Sequence, residues 1–159
     1  MRIVVGVADG RLSDDPSSSL VTYSLGSCVA VCICDPAARV AGMLHFMLPD
    51  SRIAPEKAAA NPFMFADTGI PMLFREAYRL GAEKRRIVVK AVGGAQGPDA
   101  TGMFAIGKRN ILAMRKIFWQ NEVMLTRSDL GGSGYRMATL EVGTGIVQVK
   151  LTGSEVLLL

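Results

Sequence analysis

Two apolar runs separated by a short turn constrain the fold more than any other feature of the sequence. The first run, residues 28–34, is rich in Val, Ile and Cys and is apolar on both faces, which is typical of a buried strand. Residues 35–38 read Asp-Pro-Ala-Ala, which favours a turn. The second run, residues 40–48, ends before Pro49. The sequence therefore predicts a buried β-hairpin.

The remaining segments predict strands in hairpins with two helices between them. Residues 9–19 are interpreted as a polar turn region and residues 51–66 as a long loop. Because strands and helices do not alternate, the pattern favours an α+β domain with a mixed or antiparallel sheet over a parallel nucleotide-binding sheet. A chain of 159 residues fits a single domain, residues 1–159. Further strands are predicted at 2–8, 21–25, 86–92, 123–126, 135–142 and 146–151, and helices at 67–80 and 108–120. Pro71 is expected in the first turn of the first helix, where proline is tolerated.

Composition excludes several classes of protein. Hydrophobic residues make up 50% and charged residues 20% of the chain, which is enough apolar material for a packed core. The net charge of +4 is mild, and the basic groups are not interleaved with aromatic residues, so no nucleic-acid partner is expected. Every apolar run is strand-sized, so no membrane insertion is expected. Three cysteines without a framework spacing indicate a reduced, cytoplasmic chain.

The hairpin turn sets the register of the two strands. If Asp35 faces Val40, the ladder places Ala30 opposite His45 and Cys28 opposite Met47. His45, the only histidine of the sequence, then lies on the same face as Cys28, as a diagonal neighbour. A metal site with the other cysteines is disfavoured, because Cys28 and Cys34 would lie about 20 Å apart along a strand. No metal is therefore expected.

A cysteine beside a histidine has the elements of a nucleophile and its base. The imidazole takes the thiol proton, and an ion pair between the two is one expected form of the site. Thr22 is a candidate for orienting the imidazole, and the backbone near Gly26 and Ser27 for binding the substrate or a developing oxyanion. The residues alone leave a second interpretation open, in which His45 is an ordinary core histidine and Cys28 an inert buried thiol.

The same residues carry a resemblance to a known family. The segments Thr22-Tyr-Ser-Leu-Gly-Ser-Cys28 and Gly42-Met-Leu-His45-Phe-Met-Leu-Pro49 resemble the CheD family of chemoreceptor glutamine deamidases. Departures occur at Ser24, where the family commonly has Gly, and at Gln96. The resemblance covers nearly the whole chain and continues through Asp67–Pro71, Lys90–Ala95, Ile106–Asn110, Gly131–Gly134 and Gly145–Lys150.

The resemblance implies a function and a fold. It implies that Cys28, His45 and Thr22 are catalytic, and that receptor glutamine is converted to glutamate through a thioester without a cofactor. It implies chemoreceptor cytoplasmic helices as partners and, where one exists, a CheC phosphatase. It also implies a β-sandwich-like core with helices packed outside, similar to certain toxin deamidases. Two other functions stay open: a non-catalytic chemotaxis interaction protein, and a hydrolase of small molecules.

Two further features have two interpretations each. Gly93-Gly94 and the segment 131–134 either line the substrate groove or form tight turns with positive φ. Residues 51–66 are either a flap facing the substrate or a plain surface loop.

Overall fold

The computed structural model describes residues 1–97 and 105–159, which contain ten strands and three α-helices. The helices are α1 (Pro55–Ala60), α2 (Ala66–Arg79) and α3 (Ile106–Gln120). The strands are β1 (Arg2–Val4), β2 (Asp9–Ser13), β3 (Ser19–Leu25), β4 (Val29–Asp35), β5 (Val40–Phe46), β6 (Val88–Gly93), β7 (Leu125–Leu130), β8 (Arg136–Glu141), β9 (Val147–Leu151) and β10 (Val156–Leu158).

The strands form two mixed sheets of five. Sheet 1 has the order β1-β3-β8-β9-β10 and sheet 2 the order β2-β5-β4-β6-β7. The pairs β1/β3 and β6/β7 are parallel and the others antiparallel. The chain passes from sheet 1 to sheet 2 through residues 26–28, between β3 and β4. A short segment that contains Cys28 therefore joins the two sheets.

Sheet 2 has apolar side chains on both faces, as the apolar run at residues 28–34 predicted. All seven residues of β4 are buried. One face packs on sheet 1, through side chains such as Ala30, Cys32 and Met43. The opposite face packs on the helices, through side chains such as Val31 and Leu44. The result is a two-sheet sandwich with helices outside one sheet, which confirms the predicted α+β class.

The hairpin and its register are as predicted. Asp35 pairs with Val40 and Ala30 with His45. The Asp35 carboxylate, 1% exposed, accepts hydrogen bonds from the N–H groups of Ala37 and Ala38 in the turn. It also forms an ion pair with Arg86 at 3.0 Å. A buried, fully hydrogen-bonded carboxylate at the turn explains why the register cannot slip.

Three expectations for local structure are wrong. The polar stretch at 9–13 is not a turn but the edge strand β2, which needs no apolar run because one of its sides is unpaired. Residues 51–66 are not a loop, because Asp50 and Asn61 cap short 3₁₀ turns on either side of α1. Pro71 lies in the second turn of α2, not the first, because the helix begins at Ala66.

Smaller differences concern the ends of strands. The strand expected at 2–8 ends at Val4, and a strand that was not predicted, β10, follows β9. None of the helices in the described part of the chain is long and apolar enough to cross a membrane.

Candidate active site

His45 lies between the two sheets, near the end of β5. It is 0% exposed and pairs with Ala30 on one side and Asp9 on the other. Cys28 packs against the same cluster of side chains between the sheets that contains Ala30 and Met43. The histidine and the cysteine therefore belong to the same face of sheet 2, as the register predicted.

Thr22 reaches His45 from the opposite sheet. Its Oγ1 lies 2.7 Å from His45 Nδ1 and 2.7 Å from the carbonyl oxygen of Val5. A hydroxyl has one proton, and the Val5 carbonyl can only accept, so Thr22 donates to Val5 and accepts from Nδ1–H. These two bonds assign the proton of a neutral imidazole to Nδ1 and leave the lone pair on Nε2.

Among the described residues, the Nε2 atom of His45 is buried without a hydrogen-bond partner. A buried nitrogen without a partner is rare, because its loss of water is not compensated. Its lone pair is therefore available to accept a proton. The Cys28 thiol is therefore not hydrogen-bonded to the ring in this structure, although both belong to the same layer.

Burial keeps both groups neutral. It lowers the pKa of His45 from 6.5 to about 4, and it raises the pKa of the Cys28 thiol above 9.0. The backbone N–H of Cys28 lies against the sulfur and opposes part of that rise. At neutral pH both directions favour a thiol and a neutral imidazole. The expected ion pair is therefore not the resting state of this structure.

Cys28 opens into a cleft of about 440 Å³. Cys28 is half-buried, whereas Cys32 and Cys34 lie in the core. The cleft is built from the segment before β4, the segment after β6 and the segment before β8. Its lining residues are Ser24, Gly26, Ser27, Cys28, Ala95, Gln96, Gly97, Ser133, Gly134 and Tyr135.

Positive φ values occur in both glycine segments, at Gly93-Gly94 and within residues 131–134. The second segment lines the cleft through Ser133 and Gly134, whereas the cleft wall that follows β6 begins at Ala95. Gly94 N–H donates to the carbonyl oxygen of Cys28 at 2.8 Å, and Ala95 N–H to that of Gly26 at 2.8 Å. Gln96 N–H in turn donates to Gly132 at 2.9 Å, which joins the two glycine segments to each other. The segment after β6 thus holds the backbone around the cysteine at two points, Gly26 and Cys28. Residues 51–66 do not line this cleft.

The backbone N–H groups near the cysteine differ in whether they already donate a hydrogen bond to the backbone. Gly26 N–H donates to the carbonyl oxygen of Ser24 at 3.0 Å. In the described part of the chain, the N–H groups of Ser27 and Cys28 have no backbone acceptor. Ser24 has φ +57°, a conformation that favours glycine, so this departure from the family pattern falls on the irregular part of β3, where the register with β8 shifts.

Sequence reasoning missed two buried residues near the site. Asn110 of α3 is 0% exposed and donates to the carbonyl oxygens of Ser27 and Met47. Arg136, 5% exposed, donates to Gly131 O at 2.7 Å and pairs with Asp129. Asn110 carried a usable signal, because it precedes Met114 by four residues on the buried stripe of the helix.

Comparison with known proteins gives a consistent family. The family model described as CheD chemotactic sensory transduction matches residues 47–151. A probable chemoreceptor glutamine deamidase of Syntrophus aciditrophicus is 48% identical over 95% of this chain and 94% of its own length. A protein of the same description from Solibacter usitatus is 46% identical, over 97% of this chain and 91% of its own.

The solved structures that are similar to this chain include that of the Neisseria meningitidis protein NMB0706 of the DUF152 family. It is 10% identical, with a TM-score of 0.46, over 82% of this chain and 63% of the other. A similarity at that level adds nothing to the description of the fold or the site. The family model matches more than half of the chain, and the two relatives match it over almost its full length, so the chain belongs to the CheD family.

Proposed function

We propose that this CheD-family chain is a cysteine amidohydrolase that converts glutamine side chains of chemoreceptors to glutamate in the cytoplasm. One observation carries the proposal. Thr22 holds the Nδ1–H of His45 and leaves a bare, buried Nε2 in the layer that also contains a half-exposed cysteine. The names of the relatives supply the substrate: they are described as probable chemoreceptor glutamine deamidases.

The chemistry proceeds in two steps. The Cys28 sulfur attacks the carboxamide carbon while its proton passes to His45 Nε2. The imidazolium then protonates the departing nitrogen, which leaves as ammonia, and a thioester remains on Cys28. Water attacks the thioester carbon, gives a proton to Nε2 and releases the glutamate carboxyl group. The proton on Nε2 returns to the sulfur, so the enzyme is regenerated.

Because both groups are neutral at rest, the proton moves during the attack rather than before it. Nε2 has no partner in the resting site, so a turn of the Cys28 side chain toward the ring is part of this proposal. Catalytic hydrogen bonds often tighten only when substrate is bound. The Ser27 and Cys28 amides, which have no backbone acceptor in the described residues, are the proposed donors to the oxyanion.

The test is a deamidation assay. The purified chain is incubated in heavy-oxygen water with the cytoplasmic fragment of a chemoreceptor, and the glutamine peptides are analysed by mass spectrometry. We expect selected glutamines to become glutamates that carry one oxygen atom from the solvent. The Cys28→Ala variant should be inactive.

Cys34→Ala is the matched control, because Cys34 is a buried thiol of β4, the strand that follows Cys28, and does not line the cleft. It should retain activity. Unchanged deamidation by Cys28→Ala would overturn the mechanism. Ammonia release from free glutamine, with receptor fragments unchanged, would overturn the receptor as substrate. A CheC-type phosphatase is a further proposed partner on the family resemblance alone, and co-purification of the two proteins tests it.

A further inference from the structure

Asn110 lies at a point where three elements meet. It belongs to α3 and is fully buried. Gly107, one helical turn earlier, allows α3 to approach the cleft backbone, because a Cβ atom there would lie 2.3 Å from the carbonyl oxygen of Ala95. The close packing of the helix therefore brings the Asn110 side chain to the end of the β4–β5 hairpin.

The side-chain amide of Asn110 joins the two strands of that hairpin. Its Nδ2 donates to Ser27 O at 2.9 Å and to Met47 O at 2.9 Å. Ser27 precedes the cysteine, and Met47 follows the histidine by two residues. The backbone ladder between the strands ends at Val29 and Phe46. The Asn110 amide therefore provides the next connection beyond the last backbone pair.

Packing alone does not explain an asparagine at this position. The amide oxygen of the same side chain, Oδ1, is buried and has no hydrogen-bond partner in the part of the chain that the structure describes. A buried polar atom without a partner opposes stability, and an apolar side chain such as Leu would avoid that cost. What only an amide provides here is two N–H donors in one plane at a fixed angle.

We infer that Asn110 is a positioning residue that sets the distance between the Cys28 segment and the His45 strand. The inference rests on the proposed function, in which a proton passes between these two side chains. A displacement of about 1 Å in such a pair costs on the order of 100-fold in rate. Asn110 touches neither the substrate carbon nor the sulfur, and acts only through the two carbonyl groups that it binds.

Asn110→Asp tests this inference, because it keeps the shape of the side chain and removes the NH₂ group. An ionised carboxylate has no donor, and a protonated one has a single O–H, so at least one of the two bonds is lost. Asn121→Asp is the matched control on the same helix. Asn121 is exposed and its Nδ2 bonds only the carbonyl oxygen of Ile117.

We expect Asn110→Asp to lower kcat about 100-fold with KM nearly unchanged, in a variant that folds. We also expect faster alkylation of Cys28 by iodoacetamide at pH 8, because a released segment exposes the sulfur and its pKa falls back toward 9.0. Slower catalysis together with a more reactive thiol is the signature of misplacement. Asn121→Asp should change neither quantity.

A folded Asn110→Asp variant with the kcat and alkylation rate of the native chain would overturn the inference. If the native chain does not deamidate receptors, the proposed function fails, and the alkylation rates still test the bridge. If Asn110→Asp does not fold, hydrogen exchange of the native side-chain amides decides. The Asn110 amide protons should exchange much more slowly than those of Asn121, and equal rates would contradict the bridge.

Discussion

The single proton of the Thr22 hydroxyl determines the chemistry available to His45. Because that proton is donated to Val5 O, the threonine presents only a lone pair to the ring. The imidazole proton is thereby held on Nδ1, and Nε2 is left as the basic atom. In the proposed mechanism, Thr22 is the third member of a triad and has no charge. An uncharged partner does not raise the pKa of the ring, which agrees with the lowered pKa of His45.

The first prediction concerns Thr22→Val, which keeps the shape of the side chain and removes the hydroxyl. Nδ1–H then loses its acceptor, and both tautomers of the ring become populated. We expect kcat to fall by at least about 100-fold, the lower part of what general-base catalysis contributes. Thr22→Ser retains the hydroxyl and should retain most of the activity. Steady-state kinetics of receptor deamidation check both, and a Thr22→Val variant with native kcat would contradict the assignment.

At the scale of elements, the site depends on how closely β6 passes the cysteine segment. Gly93, at the end of β6, has φ +118°, and a Cβ atom there would lie 2.3 Å from the carbonyl oxygen of Cys28. That same oxygen accepts the N–H of Gly94. Gly93 is therefore required both for its backbone conformation and for the close approach, and any side chain at this position must displace the Cys28 segment.

The second prediction separates these two roles of Gly93. Gly81 has φ +100°, but a Cβ atom there would meet nothing within 4 Å, so Gly81→Ala measures the cost of conformation alone. We expect Gly93→Ala to destabilise the chain by about 1–3 kcal/mol more than Gly81→Ala, because overlap is added to strain. Urea unfolding monitored by circular dichroism checks the difference. Equal losses of stability would mean that the close approach is unimportant.

The hairpin with its register could be predicted from sequence, and with it the face shared by Cys28 and His45. Both follow from local signals: two apolar runs, a short turn and the period of two along a strand. The edge strand β2 could not, because its polar residues do not differ from those of a loop. The segment around α1 could not either, because its turns are too short to show a period and depend on the caps at Asp50 and Asn61.

The contacts of the site between residues far apart in the sequence could not be predicted either. The sequence identifies Thr22 as a candidate for orienting the imidazole, but that it reaches His45 from the other sheet appears only when β3 packs on sheet 2. The contacts of Asn110 join residues 83 and 63 positions away, and no local pattern encodes such a contact. Cys28 and His45 are neutral at rest because burial shifts the pKa of each group. The spacing of residues along the chain does not predict how deeply each group is buried.

At the scale of the whole molecule, the two-sheet sandwich buries the only histidine of the sequence between its sheets. His45 is 0% exposed, and within the described residues the hydrogen bond of its ring is to the Thr22 hydroxyl. Folding therefore opposes protonation of the ring, whereas the unfolded chain binds that proton with an ordinary pKa of 6.5. Between the two pKa values the unfolded state binds more protons, so stability must rise with pH.

The third prediction is a loss of stability in mild acid. The contribution of His45 is complete above pH 6.5 and is lost as the pH falls toward its folded pKa of about 4. A shift of that size corresponds to about 3 kcal/mol in the free energy of unfolding. Urea unfolding at pH 7, 5.5 and 4 checks the value. Asp15, Asp35 and Asp50 have pKa values lowered below 3.8, so their losses fall at lower pH and do not overlap this window.

His45→Gln is the control that shows whether the loss of stability in mild acid comes from His45. Glutamine does not titrate, so the variant should lose much less stability than the native chain between pH 6.5 and pH 4. The two chains should behave alike below that window, where the carboxylates titrate. If the native chain were equally stable at pH 7 and pH 4, the ring would be protonated inside the folded protein. That outcome would contradict a lowered pKa of His45, and with it the neutral ring that burial is expected to maintain in mild acid.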